Sequence, residues 1–234
     1  MTIHDTFTGA QFATSIANQA EKMGMTLRVG DDFQLYAELV REHRPEQPLG
    51  DPFNLEKQEL THENAFWVSG WDRQGRLVHT QAIRRLQIET SLADFMTRSF
   101  RQFPPSGCDL DKARSTYRPG PGARGIRGVV CYHGEAWLRA GKGGFRGTGL
   151  AGVLARFAMT SAVLRWSPDY IFCFVPEALA YRGLVEREGY MHTDPGALSW
   201  QLRDGRKLRG FMGWMGREDL THMMGIDTET LLVA

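Results

Sequence analysis

The sequence predicts a single α+β domain with a mixed (α/β) sheet, and three observations carry that expectation. Between residues 129 and 190, apolar runs of strand length alternate with helix-periodic runs, in the order strand, glycine-rich loop, helix, strand, helix. Upstream, two strand-like runs are joined by Asp72-Arg73-Gln74-Gly75, a hairpin signal. The composition, 42% hydrophobic and 24% charged over 234 residues, is that of a globular chain long enough to bury one full core, which excludes disorder and fibrous repeats. No internal repeat is present, so residues 1–234 are read as one domain.

Taken in order, residues 23–29 read as a short strand, and Asp31 or Asp32 caps a helix carrying Phe33, Leu35, Tyr36, Leu39 and Val40. Residues 44–61 hold Pro45, Pro48 and Pro52 and read as a loop with one short helical piece. The hairpin strands cover 65–71 and 76–86. Residues 92–103 have helical spacing and stop at Pro104-Pro105. Residues 106–128 are rich in Gly and Pro and poor in apolar side chains, and read as a long loop, a lid or a disordered segment. A strand over 129–138 leads into the glycine-rich stretch 141–149. A strong helix follows over 150–166, then a strand over 170–175 apolar enough to be buried on both faces. Pro176-Glu177 opens a second helix to Glu188, with Gly189 placed to cap it, and two closing strands, 198–202 and 211–215, flank the turn Asp204-Gly205.

Charge excludes some functions and hints at others. The net charge of +1 makes wholesale binding to nucleic acid or to a membrane surface unexpected, and no apolar run reaches membrane-spanning length. No basic-then-apolar leader opens the sequence, so a cytoplasmic protein is expected. Cys108, Cys131 and Cys173 lie at neither metal-ligand nor redox spacing, so no metal and no disulfide framework is expected. The distribution is uneven, however. Residues 1–70 contain 11 acids against 5 bases, whereas residues 112–146 contain 8 bases against Glu135 alone, which reads either as a solvated basic surface or as a site for a small anion on the second half.

Helix starts leave backbone N–H groups unpaired and carry a partial positive charge of about half a unit. Glycines let such a backbone approach a phosphate closely. Gly147-Thr148-Gly149, preceded by Arg146 with Lys142 nearby, is therefore a candidate pyrophosphate cradle. A P-loop is excluded because Lys142 is not followed by Ser or Thr. Gly147-x-Gly149-x-x-Gly152 matches the dinucleotide fingerprint in letters, but its strand ends too early and the chain after it is too short for the full dinucleotide-binding sheet. A nicotinamide oxidoreductase is thus a distant reading.

The run Arg146-x-x-Gly149-x-Ala151 resembles the [Q/R]-x-x-G-x-[G/A] motif of the GNAT superfamily of acyl-CoA-dependent N-acyltransferases. Its context is similar too: Glu135-Ala136-Trp137-Leu138 resembles the family's central strand, and residues 184–190 (Leu-Val-Glu-Arg-Glu-Gly-Tyr) resemble its "L-Y-E-K-x-G-F" run. The resemblance is strongest over 129–191 and extends over 64–216. It implies a GNAT-like fold, a mostly antiparallel mixed sheet flanked by helices. It also implies direct transfer of an acetyl or other short acyl group from acyl-CoA, acetyl-CoA in the simplest case, to an amine.

By resemblance, Arg146, Gly147, Thr148, Gly149, Leu150 and Ala151 hold the pyrophosphate, and the backbone of Trp137 and Leu138 pairs with the pantetheine arm. The seven residues from Arg139 to Phe145 make a longer lead-in than the family's, which leaves the strand residues facing the cofactor open. Transfer to an amine needs a proton acceptor, a donor for the carbonyl oxygen and an acid for the thiolate. On an extended strand His133 and Glu135 share a face, so Glu135 is the first candidate base and His133 the second, against the plain alternatives of an ion-paired Glu and a structural His. Val185 stands where the family has its acidic Tyr, and Tyr181, at i−4 on the same helical face, is the candidate replacement. The expected partner is a small amine, cationic by preference because the first half is acidic, with a homodimer left open. The alternative is a non-catalytic acyl-CoA-binding sensor on the same fold.

Overall fold

A computed structural model describes residues 3–141 and 143–232. In chain order the elements are α1 (Ile3–Lys22), β1 (Met25–Gly30), α2 (Phe33–His43), β2 (Ala65–Asp72), β3 (Leu77–Ile88), α3 (Leu92–Ser99), β4 (Leu110–Tyr117) and α4 (Pro121–Gly125). Then come β5 (Gly128–Leu138), α5 (Leu150–Trp166), β6 (Tyr170–Pro176), α6 (Glu177–Ala180), α7 (Leu184–Arg187), β7 (His192–Leu202), β8 (Lys207–Gly216) and α8 (Arg217–Met224). The eight strands form one sheet in the order β1-β2-β3-β5-β6-β8-β7-β4. Among the described residues only the β5–β6 pair is parallel; the other neighbours run antiparallel. The expected mixed, mostly antiparallel sheet flanked by helices is therefore present.

Each face of the sheet is buried by its own layer. Phe12, Ile16 and Ala20 recur at four-residue spacing on α1 and meet Val153, Leu154 and Ala158 of α5 over the inner residues Val68, Ile83, Cys131 and Ile171. On the opposite face, Phe33, Tyr36 and Val40 of α2 and Leu92 and Met96 of α3 pack with Trp67, Tyr132, Phe172 and Trp200. Strand residues alternate between these cores because the side-chain period of a strand is two. Asp32 caps α2 by accepting from the amides of Gln34 and Leu35, at 2.9 and 3.1 Å, as its sequence position predicts. No described helix is long and apolar enough to cross a membrane.

Two expectations need correction, and one helix has no counterpart among them. The segment 106–128 is not one long loop: β4 pairs with β7 at the sheet edge, and α4 follows it. The strand was hidden because its register slips between Asp111 and Thr116 and only Ser115 on it is fully buried, so no clean alternation marks it. Ser115 Oγ closes that bulge, donating to the Asp111 carbonyl at 2.7 Å and accepting from the Gln201 amide at 3.0 Å. The helix expected over 177–188 is two single turns, α6 and α7, broken where Gly183 takes φ +74°. Helix α1, for which the sequence analysis assigns no element, forms the outer layer beside α5 and is tied to the C-terminal turn by Gln19 and Ser15 bonding to the Thr228 hydroxyl.

Candidate active site

Two features of β5 set the site. The strand pairs with β3 along its length, but with β6 only through Val130–Tyr170, Cys131–Ile171 and Tyr132–Phe172. Beyond Tyr132 the two parallel strands are no longer paired, while β6 continues to pair with β8 as far as Pro176. A fork therefore opens between the C-terminal ends of β5 and β6. The second feature is a bulge: Thr80 faces Trp137 and Ala82 faces Gly134, so Gln81 lies opposite both Glu135 and Ala136. Glu135 absorbs the extra residue at φ +58°, a conformation that costs a non-glycine residue about 1–2 kcal/mol.

The bulge reverses the expected facing of the two candidate bases. Glu135 turns toward the α2 layer and His133 toward α5, because the inserted residue breaks the two-residue alternation. The Glu135 carboxylate is ion-paired with Arg44 at the end of α2, and side-chain exposures of 5% and 0% make this a buried pair. Its Oε1 also accepts from the Gly50 amide at 2.9 Å and lies 3.4 Å from Ser106 Oγ. Arg44 donates further to Thr80 Oγ1 at 2.8 Å, and both Arg44 and Thr80 reach the Glu135 carbonyl. The strained residue is thus held by its own side chain and carbonyl together. Gly50 and Ser106 also line a cavity of about 340 Å³ between residues 48–51 and 104–112, with Lys112 paired to Asp51 at 3.0 Å beside it.

His133 is sealed on the other face. Its Nε2 lies 2.9 Å from Gln81 Oε1, an acceptor, so Nε2 carries the proton and Nδ1 accepts from the Tyr190 hydroxyl at 2.8 Å. Gln81 in turn donates to the Leu154 carbonyl on α5 at 2.6 Å. Burial lowers the His133 imidazole from 6.5 to about 4, so it is neutral. His79, with Nδ1 2.8 Å from the Trp137 carbonyl, is lowered to about 4 for the same reason.

The glycine-rich loop connects β5 to α5. The Arg146 Nε donates back to the Leu138 carbonyl at 2.7 Å, and Thr148 Oγ1 donates to the Phe145 carbonyl at 2.7 Å. Gly147 and Gly149 have φ near +80°, and Gly149 is the N-cap of α5 with no side chain capping the first turn. The amides that follow, at Leu150 and Ala151, lie at the positive end of a 17-residue helix. Gly152, the last glycine of the fingerprint-like run, has a packing role instead: a Cβ there would stand 2.3 Å from the Arg187 carbonyl of α7. Trp137 and Leu138 are half-buried at the strand end, with both carbonyls already accepting, from His79 and Arg146. Lys142 lies outside the described residues.

Tyr181 does not share a face with Val185. It sits beyond α6, 75% exposed, with its ring 5.1 Å from that of Phe211, whereas Val185 is buried after the Gly183 break. Sequence reasoning missed Arg44, Gly50, Ser106 and Tyr132. No motif marks them; Arg44 sits in the proline-rich stretch far from Glu135 in sequence. Among the described residues no cluster of three or more His, Cys, Asp or Glu is placed to hold a metal ion.

No family model matches the chain, and no curated protein matches it in sequence. It is similar to the solved structure of NAA60 from Arabidopsis thaliana in complex with acetyl-CoA, at 12% identity and TM-score 0.47, over 82% of this chain and 98% of that one. It is also similar to the spermidine/spermine N-acetyltransferase SpeG from Vibrio cholerae, at 11% identity and TM-score 0.47, over 86% and 98% of the two chains. A third similar structure is an N-acetyltransferase from Staphylococcus aureus Mu50, at 9% identity and TM-score 0.45, over 83% and 98%.

Proposed function

We propose that the protein is an acyl-CoA-dependent N-acyltransferase that moves a short acyl group to an amine in a ternary complex. The observation that carries this reading is the fork between β5 and β6 running into a helix start with no side-chain cap, flanked by Arg146 and two left-handed glycines. A pyrophosphate suits that helix start, where backbone donors and the helix dipole converge. Arg146, Gly147, Thr148, Gly149, Leu150 and Ala151 would hold it. With the Trp137 and Leu138 carbonyls engaged within the chain, the remaining backbone groups on the free edge of β5 are left for the pantetheine arm.

The cavity beside Gly50 and Ser106 is the proposed acceptor entrance, on the α2 face of the sheet. There the amine meets Ser106, whose hydroxyl leads to Glu135 Oε1, so Glu135 accepts the amine's proton through Ser106 while Arg44 holds the carboxylate. His133, with both ring nitrogens bonded, positions β5 against α5 rather than moving protons. Tyr181, past the end of β6, is the proposed donor to the departing thiolate. A second reading, a non-catalytic acyl-CoA sensor, is favoured by one observation: Val185, at the position the resemblance gives to the acid, is buried.

The test is the melting temperature with excess CoA, acetyl-CoA or NAD, followed by an amine screen. A ligand at about 100 times its Kd adds roughly 2.7 kcal/mol to the folded state, a shift of several degrees. Stabilisation by the CoA species alone, lost in Arg146→Ala, supports the site; stabilisation by NAD alone refutes it. Turnover with an amine selects the enzyme, and tight acyl-CoA binding with no turnover selects the sensor.

A further inference from the structure

Tyr132 occupies an unusual position for a polar side chain. It is the last residue of β5 paired with β6, and its side chain lies in the α2-face core, 9% exposed. Its ring is walled by Phe103 at 4.9 Å, Phe172 at 5.3 Å, Phe53 at 5.7 Å and Phe174 at 6.3 Å. Within that box the hydroxyl makes no hydrogen bond among the described residues, yet it is not sealed from solvent as the Tyr117 hydroxyl is. Phenylalanine would fill the same space without the cost of an unpartnered hydroxyl, so nothing in the packing calls for the oxygen.

The location supplies a use for it. A Cβ built on Gly134 would stand 3.1 Å from the Tyr132 hydroxyl oxygen, so that oxygen lies over the stretch of β5 that is no longer paired with β6, beside the Glu135 bulge. From Leu138, where Arg146 folds back, to Gly134 is about 13 Å of strand, a span over which a pantetheine arm carries its thioester from the glycine loop to the fork. We propose that Tyr132 is a catalytic residue whose hydroxyl donates a hydrogen bond to the acyl carbonyl oxygen as charge develops on it. The inference rests on the acyl-CoA reading above and adds a residue to it.

The step balances without an outside reagent. The amine nitrogen adds to the carbonyl carbon, and the displaced π pair settles on oxygen, where the Tyr132 O–H meets it and keeps its proton. The pair then returns, the C–S bond breaks, the Tyr181 hydroxyl gives the CoA sulfur its proton, and the proton shed by nitrogen through Ser106 and Glu135 passes to solvent, from which Tyr181 is reprotonated. Desolvation among the rings holds the Tyr132 phenol well above the usual tyrosine range, so it remains a donor at any working pH.

The experiment is Tyr132→Phe in the full chain, compared with wild type in thermal stability, in binding of acetyl-CoA and of CoA, and in acetyl transfer. Among the described residues the hydroxyl has no hydrogen-bond partner to lose, so the melting temperature should hold. Loss of one preorganised oxyanion donor lowers kcat about 10²–10³-fold, with KM for acetyl-CoA little changed. A kcat within about threefold of wild type overturns the proposal, as does a drop explained by a lower melting temperature. Should wild type bind CoA species yet turn over no amine, binding decides: a preference for acetyl-CoA over CoA that Tyr132→Phe abolishes upholds the donor, and an unchanged preference overturns it. Wild type that binds neither ligand refutes the acyl-CoA reading itself, and the proposal with it.

Discussion

Replacing Glu188 by Gln should roughly double the stability the protein loses between pH 7 and pH 5. Burial lowers His79 and His133 each from 6.5 to about 4, so at pH 5 the unfolded chain binds two protons that the folded chain refuses. Their contribution is present above 6.5 and lost as pH falls toward 4. At pH 5 each imidazole is 1.5 units below its unfolded value, and at 1.36 kcal/mol per unit the loss is about 2 kcal/mol each. Glu188 acts in the opposite sense. Desolvation raises it from 4.5 to about 7 against the pull of Arg187 and Arg156, so its contribution is full below 4.5 and lost as pH rises through 7. Going from pH 7 to 5 it returns about 2 kcal/mol. Asp72 and Asp169 are held below 3.8 and act only at lower pH. The expected net loss is thus about 2 kcal/mol in wild type and about 4 kcal/mol in Glu188→Gln. Urea unfolding at the two pH values reads this directly, since a difference of this size moves the midpoint by roughly 1 M. Equal losses in the two proteins would show that Glu188 is already ionised when folded. A wild type that gains stability toward pH 5 would refute the neutral, buried imidazoles.

Three further outcomes follow from the site's packing. Arg44→Met leaves the Glu135 carboxylate buried without its cation and should cost about 3–5 kcal/mol in chemical unfolding, most of it recovered when Glu135→Met is added; additive losses would show that the two side chains act independently. Gly152→Ala drives a methyl against the Arg187 carbonyl and should lower stability by about 1–3 kcal/mol, and an unchanged melting temperature would mean that α7 yields freely. Tyr181→Phe, at an exposed position, should alter stability by less than about 0.5 kcal/mol, so a fall in kcat there reports thiolate departure, and an unchanged kcat removes Tyr181 from the mechanism.

The sequence by itself determined the elements whose signals are local. The 150–166 helix, the 65–88 hairpin and the apolar β6 strand were legible because periodicity and turn residues lie within a few positions of one another. The glycine-rich helix start was legible for the same reason: Arg146 to Ala151 is one continuous stretch. Tertiary structure decided what depends on distant partners. The bulge at Glu135 appears only when β5 is laid against β3, and it alone turns His133 and Glu135 to opposite faces. The cation that holds Glu135 comes from Arg44, 91 residues away, and no local pattern points to it. Strand β4 was hidden because an edge strand buries little and so carries little hydrophobic alternation. The Tyr132 hydroxyl is likewise a fact of packing: its letter gives an aromatic residue in a strand, and only the fold surrounds it with rings and leaves its oxygen without a hydrogen bond among the described residues.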